Sequence, residues 1–194
     1  MNKDFWKNKK VLITGDSGFK GAWLTLALHS VGAKIQGLSS SDLNNNTELF
    51  QALNIYKISN TLDIDIRDQH GVNKIFEQFE PEIVFHLAAQ PLVRESYVDP
   101  VATYGVNLMG TLNILEAIRK SSSIKSATLV TTDKCYKNNE WEWGYRENDP
   151  LGGHDPYSSS KACAEILIQS YQKSFFCDLK NSPGISSVRA GNVR

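Results

Sequence analysis

The stretch Val11-Leu12-Ile13-Thr14-Gly15-Asp16-Ser17-Gly18-Phe19-Lys20-Gly21 decides the fold. A short apolar run leads straight into glycines three residues apart, and residues 22–31 then carry apolar side chains at helical spacing. A continuous apolar run of this length reads as a strand buried on both faces, and the spacing after it as an amphipathic helix. Between them, Gly15 permits a tight turn, Gly18 lets the backbone approach a pyrophosphate, and Gly21 lets the helix pack closely on the strand. The helix N-terminus adds free N–H groups and a partial positive charge facing the phosphates. Glycine patterns also occur in turns that bind nothing. The strand before this one and the helix after it are what point to a dinucleotide.

The same alternation continues along the chain. Further strands are expected at 35–38, within 58–66, at 83–85, 127–130 and 185–188, with helices at 72–79, 103–118 and 157–175. Short buried strands alternating with helices imply right-handed crossovers, hence an α/β fold: a doubly wound parallel Rossmann sheet with helices on both faces. Such sheets bind ligands beyond the carboxyl ends of their strands. That singles out the loops beginning at Thr14, Ser39, Leu87 and Thr131. Residues 39–46 and 138–155 are polar loops, the second rich in Trp, Gly and charge. With no internal repeat, residues 1–194 read as a single dinucleotide-binding domain that also carries the catalytic residues.

Composition narrows the partners. Lys and Arg total 21, as do Asp and Glu, so no global field favours nucleic acid or an anionic membrane. Hydrophobic residues at 41% are ample for a core. Cys135, Cys163 and Cys177 show no CxxC spacing and no metal-ligand pattern with histidine, so no metal is expected and a reducing compartment is. The polar N-terminus does not read as a signal peptide, and the apolar runs are too short for a bilayer. The expectation is a soluble, cytoplasmic protein.

The chemistry concentrates at two places. Tyr157 and Lys161 stand four residues apart on one face of a helix. A phenol beside an ammonium and a cationic nicotinamide ring is expected to have a lowered pKa, and so to take a proton from a sugar hydroxyl as hydride leaves the adjacent carbon. The fifth strand exits through Thr131-Thr132-Asp133-Lys134, where either chemistry or a turn capped by Asp133 is expected. Asn107 either supports this site from the neighbouring helix or satisfies itself against backbone. After the second strand, Asp42 is the candidate for the ribose hydroxyls. No Arg stands near it to meet a 2′-phosphate, which favours NAD over NADP. Asp65 meets the adenine edge or is a solvated turn acid.

Together these residues resemble the extended short-chain dehydrogenase/reductases. The resemblance runs through TGDSGFKG, Asp65-Ile66-Arg67-Asp68, His86-Leu87-Ala88-Ala89-Gln90, Asn107-Leu108-Met109-Gly110-Thr111, Tyr157/Lys161 and Arg189-Ala190-Gly191-Asn192-Val193, in order. It implies NAD as cofactor, held by Gly15, Ser17, Gly18, Phe19, Lys20, Gly21, Asp65, Ile66, Leu87, Ala88 and Ala89, with Tyr157 and Lys161 at the nicotinamide end. A narrower set is similar to the CDP-glucose 4,6-dehydratases within that family: Lys20 with Trp23, residues 86–97, Thr131-Thr132-Asp133-Lys134-Cys135-Tyr136, and residues 143–153. Related dTDP-glucose dehydratases carry Asp-Glu at Asp133-Lys134. Ile64 departs from the family glycine before Asp-Ile-Arg-Asp.

This narrower resemblance implies an internal redox elimination. Tyr157 takes the 4-hydroxyl proton as hydride leaves C4, Thr132 bonds the 4-oxygen, and Asp133 protonates the departing 6-hydroxyl. Lys134, if held neutral, takes the C5 proton, and hydride returns to C6. Gln90, Arg94, Asn107 and Asn192 are implied at the nucleotide-sugar substrate, which a further C-terminal domain would complete. Other sugar-nucleotide 4,6-dehydratases, a 4-epimerase, or a truncated, non-catalytic NAD-binding fragment are the alternatives. The family also implies a homodimer or homotetramer through a helix bundle, and a place in nucleotide-sugar metabolism leading to lipopolysaccharide O-antigen.

Overall fold

A computed structural model of the chain describes residues 2–40, 48–178 and 182–191. Six strands form one all-parallel sheet: β1 (Lys10–Thr14), β2 (Lys34–Ser39), β3 (Leu62–Asp63), β4 (Ile83–His86), β5 (Ser126–Thr132) and β6 (Gly184–Ala190). Their spatial order is β3-β2-β1-β4-β5-β6, so the chain winds outward from β1 first one way and then the other. The helices are α1 (Lys3–Trp6), α2 (Phe19–Ser30), α3 (Glu48–Ala52), α4 (Gln69–Phe79), α5 (Val93–Val98), α6 (Pro100–Tyr104), α7 (Thr111–Lys120) and α8 (Pro156–Phe175).

Alternation along the strands sorts side chains to the two faces. Leu12, Leu38, Val84, Ala127 and Leu129 pack with Val72, Ile75 and Phe76 of α4, Ile114, Leu115 and Ile118 of α7, and Ile168 of α8. Their neighbours Val11, Ile13, Ile35 and Ile83 point the other way, onto Leu24 and Leu28 of α2 and Trp6 of α1. Each fully buried Leu or Ile contributes about 1.5–3 kcal/mol, so the sheet is held by apolar burial on both sides. This is the doubly wound parallel architecture the sequence implies.

Two expected elements differ from what forms. Only Leu62 and Asp63 join the ladder within 58–66. Asn54 and Asn60 both adopt left-handed backbone, with φ of 50° and 44°, and the intervening chain makes a 3₁₀ turn at Ile55–Lys57. Left-handed residues do not continue a strand, and Asn tolerates that region better than most. The helix expected over 103–118 is broken into α6, a π-helical turn at Gly105–Gly110, and α7. Such wide turns recur at functional sites. This one carries Asn107.

The far end of the sheet is tied by a buried ion pair. Glu165 of α8 is fully buried and accepts from Arg189 of β6 at 2.8 and 3.0 Å, from Ser187 at 3.1 Å, and from the Thr131 hydroxyl on β5. Arg189 reaches on to the Tyr136 hydroxyl and the Glu147 carbonyl, pinning the long loop after β5. Removing one partner of such a pair leaves the other charge buried alone. Glu165→Ala is expected to lower the unfolding free energy by about 3–5 kcal/mol in urea titration. A loss below about 1 kcal/mol would show the network to be peripheral.

Candidate active site

The order reverses between β1 and β4, and a cleft of about 350 Å³ opens beyond their carboxyl ends. Gly15, Ser17, Gly18, Phe19, Lys20 and Gly21 line it from the turn after β1, Asp65 and Ile66 from the loop after β3, and Leu87, Ala88 and Ala89 from the loop after β4. Tyr157 and Lys161 enter it from α8. Of the residues the sequence assigns to a cofactor, all but Asp42, which lies outside the described residues, border this one cavity. Leu38, Ser39, Ser40 and Val106 border it too.

The turn needs its glycines for space. Gly15 has φ +75°, and a Cβ there would lie 2.7 Å from the Ala88 nitrogen. A Cβ on Gly21 would lie 2.1 Å from the Gly15 carbonyl oxygen. α2 therefore begins inside the motif, with Gly18 at its N-cap and no side chain bonding its first turn. The N–H groups of a first helical turn have no partner within the helix, and the macrodipole makes that end positive.

A relay of neutral hydrogen bonds shapes the loop after β4. The Ala88 N–H donates to Thr14 Oγ1, and that hydroxyl donates to His86 Nδ1 at 2.7 Å. Thr111 Oγ1 donates to the Asn107 carbonyl at 2.7 Å, so it accepts from His86 Nε2 at 3.1 Å. His86 is accordingly neutral with its proton on Nε2. Burial, with the Lys161 charge adding to it, holds this imidazole down to about 3.

Asn107 joins that loop to α8. Its Oδ1 accepts from the Gln90 N–H at 2.9 Å, while Nδ2 donates to the Gln90 carbonyl at 3.1 Å and to Ser160 Oγ at 2.9 Å. Ser160 Oγ in turn donates to the Tyr157 carbonyl at 2.7 Å. The Gln90 side chain is taken up by Leu92 and Thr103. Both side chains were expected at a substrate; in the structure both are spent inside the protein, positioning Tyr157 and the loop. Arg94 is exposed on α5. Asp42 and Asn192 lie outside the described residues.

α8 starts where its sequence says it must. Asp155 caps it by accepting from the Ser158 N–H at 2.8 Å and the Ser158 hydroxyl at 2.6 Å, with Pro156 at the first turn. That first turn and the next put Tyr157 and Lys161 into the cleft, both buried. Burial, and the Lys20 charge beside it, lower the Lys161 ammonium to about 8; it donates to the Val130 carbonyl at 3.4 Å. Without the cationic nicotinamide ring beside which a lowering is expected, the Tyr157 phenol is raised: burial is the main cause, a hydrogen bond with Thr132 works against it, and the Asp133 charge adds to it. In the protein alone, desolvation outweighs any help from Lys161.

Thr132, Asp133 and Lys134 sit at the exit of β5. Thr132 is buried, donating to Asp133 Oδ1 at 3.1 Å and accepting from the Lys134 N–H at 3.3 Å. Asp133 and Lys134 are exposed on a 3₁₀ turn. They border a second cavity of about 400 Å³ with Tyr136, Tyr145, His154 and Ser158. Asp65 is engaged by Arg67: burial acts to raise its carboxyl, but the Arg67 hydrogen bonds and charge bring it below its ordinary range. The sequence reading missed the ties of Asp16 to Ser39, Ser59 and Thr61 and of Glu165 to Arg189, which join residues distant along the chain. Among the described residues, no cluster of His, Cys, Asp or Glu is placed to hold a metal, and no helix is long and apolar enough to cross a membrane.

Comparison with known proteins agrees with this geometry. The chain is 45% identical to CDP-glucose 4,6-dehydratase of Salmonella typhimurium over its whole length, covering 54% of that protein. It is 35% identical to dTDP-D-glucose 4,6-dehydratase of Dictyostelium discoideum, across 90% of this chain and 43% of the other. The chain spans about half the length of the curated relatives it matches. Among solved structures, UDP-glucose 4-epimerase of Thermus thermophilus in complex with NAD superposes with a TM-score of 0.75 and 28% identity, covering 93% of this chain and 54% of that one. The model of the GDP-mannose 4,6 dehydratase family matches residues 12–189. From the glycine turn after β1 to the arginine of β6, the chain belongs to the GDP-mannose 4,6 dehydratase family of extended short-chain dehydrogenase/reductases.

Proposed function

We propose that this chain carries the cofactor-binding and catalytic part of an NAD-dependent CDP-glucose 4,6-dehydratase. One juxtaposition carries the reading: the glycine turn, the Tyr157/Lys161 pair and the Thr132-Asp133-Lys134 exit converge on the carboxyl edge of a single sheet. The cleft suits a dinucleotide in its chemistry. It offers a positive helix end with uncapped N–H groups, small residues where a backbone must approach, and Lys161 at the far end. When bound, NAD supplies the acceptor for hydride from C4 and its donor to C6.

The chain's own residues would do the rest. Tyr157 accepts the 4-hydroxyl proton. Its raised phenol needs a nearby positive charge at that moment, which Lys161 provides while protonated. Thr132 holds the 4-oxygen and Asp133 protonates the 6-hydroxyl as water leaves. Lys134 stands next to Asp133 and takes the C5 proton. Gln90 and Asn107 act as positioning residues, while Arg94 and Asn192 meet the substrate.

The cytidine preference rests on the Salmonella relative, and the nucleotide would be read in the further length that such relatives have. Self-association into a homodimer or homotetramer belongs to the same reading; Val101, Met109, Ile166 and Phe175 are exposed apolar residues on the helices concerned. So do a cytoplasmic location and a role in supplying deoxysugar for lipopolysaccharide O-antigen.

The direct test is incubation with NAD⁺ and CDP-glucose in D₂O, followed by mass spectrometry. A sugar nucleotide lighter by one water and carrying one solvent deuterium is expected. An epimer of unchanged mass would replace the dehydratase reading with epimerisation, and turnover of dTDP-glucose alone would reassign the nucleotide. Tyr157→Phe should lower turnover at least about a hundredfold, the scale of a lost general base, while NADH binding stays within about twofold. Loss of binding or folding in that variant would count against the base.

Lys161 is kept at a cost to folding. Its pKa falls from 10.5 unfolded to about 8 folded, so the charged form opposes folding most below pH 8, and the penalty fades as pH rises towards 10.5. Lys161→Met should therefore be the more stable protein at pH 7, by up to about 3 kcal/mol, with the difference shrinking to little at pH 10.5 in parallel urea titrations. Equal stability at pH 7 would show that this charge is not buried.

A further inference from the structure

Asp16 is an odd residue to find inside a glycine turn. It is fully buried, and its side chain turns away from the cleft and under β2. It crosses Gly37, where a Cβ would lie 1.9 Å from its Oδ2, so only glycine leaves it room. Its side-chain partners are hydroxyls: Ser39 donates to Oδ1 at 2.7 Å, while Thr61 and Ser59 bond Oδ2. Burial pushes the carboxyl above its ordinary range and these hydrogen bonds work against that.

Ser39 is the only one of the three hydroxyl residues that also borders the cleft. It ends β2, the place where folds of this topology hold the adenosine ribose. A carboxylate accepts hydrogen bonds and cannot give them, so the single O–H of Ser39 is committed to Asp16. The Ser17 N–H donates to the same oxygen at 3.1 Å. What Ser39 has left to offer a ligand is one lone pair.

We infer that Asp16 is a specificity-determining residue that acts through Ser39, making the β2 end of the cleft a hydrogen-bond acceptor that takes a ribose 2′-hydroxyl and turns away a 2′-phosphate. The inference rests on the dinucleotide reading of the cleft and deepens it. A 2′-hydroxyl donates into the Ser39 lone pair. A 2′-phosphate brings only acceptors and negative charge, against a lone pair backed by a buried anion. Arg67, the nearest guanidinium of the β3 loop, is already engaged by Asp65. Asp16 thus does at one remove what an acidic residue at the end of β2 does directly in other dinucleotide folds.

The test is fluorescence titration of the whole chain with NADH and with NADPH, in the parent, Asp16→Asn, Ser39→Ala and the double variant. An asparagine keeps the shape but can donate, which frees the Ser39 hydroxyl to turn towards the cleft. The parent should prefer NADH, and Asp16→Asn should narrow that preference on the order of tenfold, the scale of a hydrogen bond to a charged group. Ser39→Ala should weaken NADH and spare NADPH, and Asp16→Asn added to it should change the ratio no further. Equal weakening of both cofactors by Asp16→Asn, or an unchanged ratio, would make the carboxylate merely structural and overturn the inference. Should that variant fail to fold, Ser39→Ala decides alone: equal effects on both cofactors overturn the proposal. A parent that binds neither cofactor would instead remove the dinucleotide reading itself, and the inference with it.

Discussion

Every strand of this sheet runs the same way, and that constraint organises the rest of the molecule. Parallel pairing sends all the carboxyl ends to one edge, and each crossover must return over a face. Loops separated by more than a hundred residues in sequence, at Gly15 and Thr132, therefore open on the same side. The reversal of winding between β1 and β4 leaves a gap there that no crossover fills. Apolar burial on both faces supplies the stability, and polar residues gather at the exits.

The exits are then held in register by buried polar groups, each satisfied. Asn107 sits on the π-helical turn and joins the β4 loop to the first turn of α8, so the position of Tyr157 depends on a residue in another layer. Glu165 does the same for β5 and β6. Fully satisfied networks of this kind rigidify a site, while a half-satisfied one would weaken it. Lys161 runs against that economy: its charge is buried beside Lys20 with a single long bond to a carbonyl. A buried charge of that sort is what the proposed proton transfer at Tyr157 would draw on.

How much of this was legible in the sequence depends on distance along the chain. Val11-Leu12-Ile13 and Ile83-Val84-Phe85 announce buried strands because burial on both faces needs an unbroken apolar run. The glycine turn and the Tyr157/Lys161 spacing are local, and the structure brings them to one cleft. The shortening of β3 was hidden because Asn60 shows no sign in sequence of its left-handed backbone. The π-helical turn was hidden because its apolar spacing passes for an α-helix. The direction of the Tyr157 shift depends on tertiary burial, and Asp16 meets Ser39, Ser59 and Thr61 only after β2 and β3 have folded beside β1.

The relay from Ala88 through Thr14, His86 and Thr111 to Asn107 contains no net charge at any link. Mobile ions screen charges, and at physiological ionic strength they do so over about 8 Å, but they have little hold on a buried chain of neutral dipoles. The attraction between an anionic ligand and the open end of α2 is of the other kind. Ionic strength will therefore tune how strongly the cleft is filled while leaving its walls where they are, and the two properties can vary independently as the surroundings change.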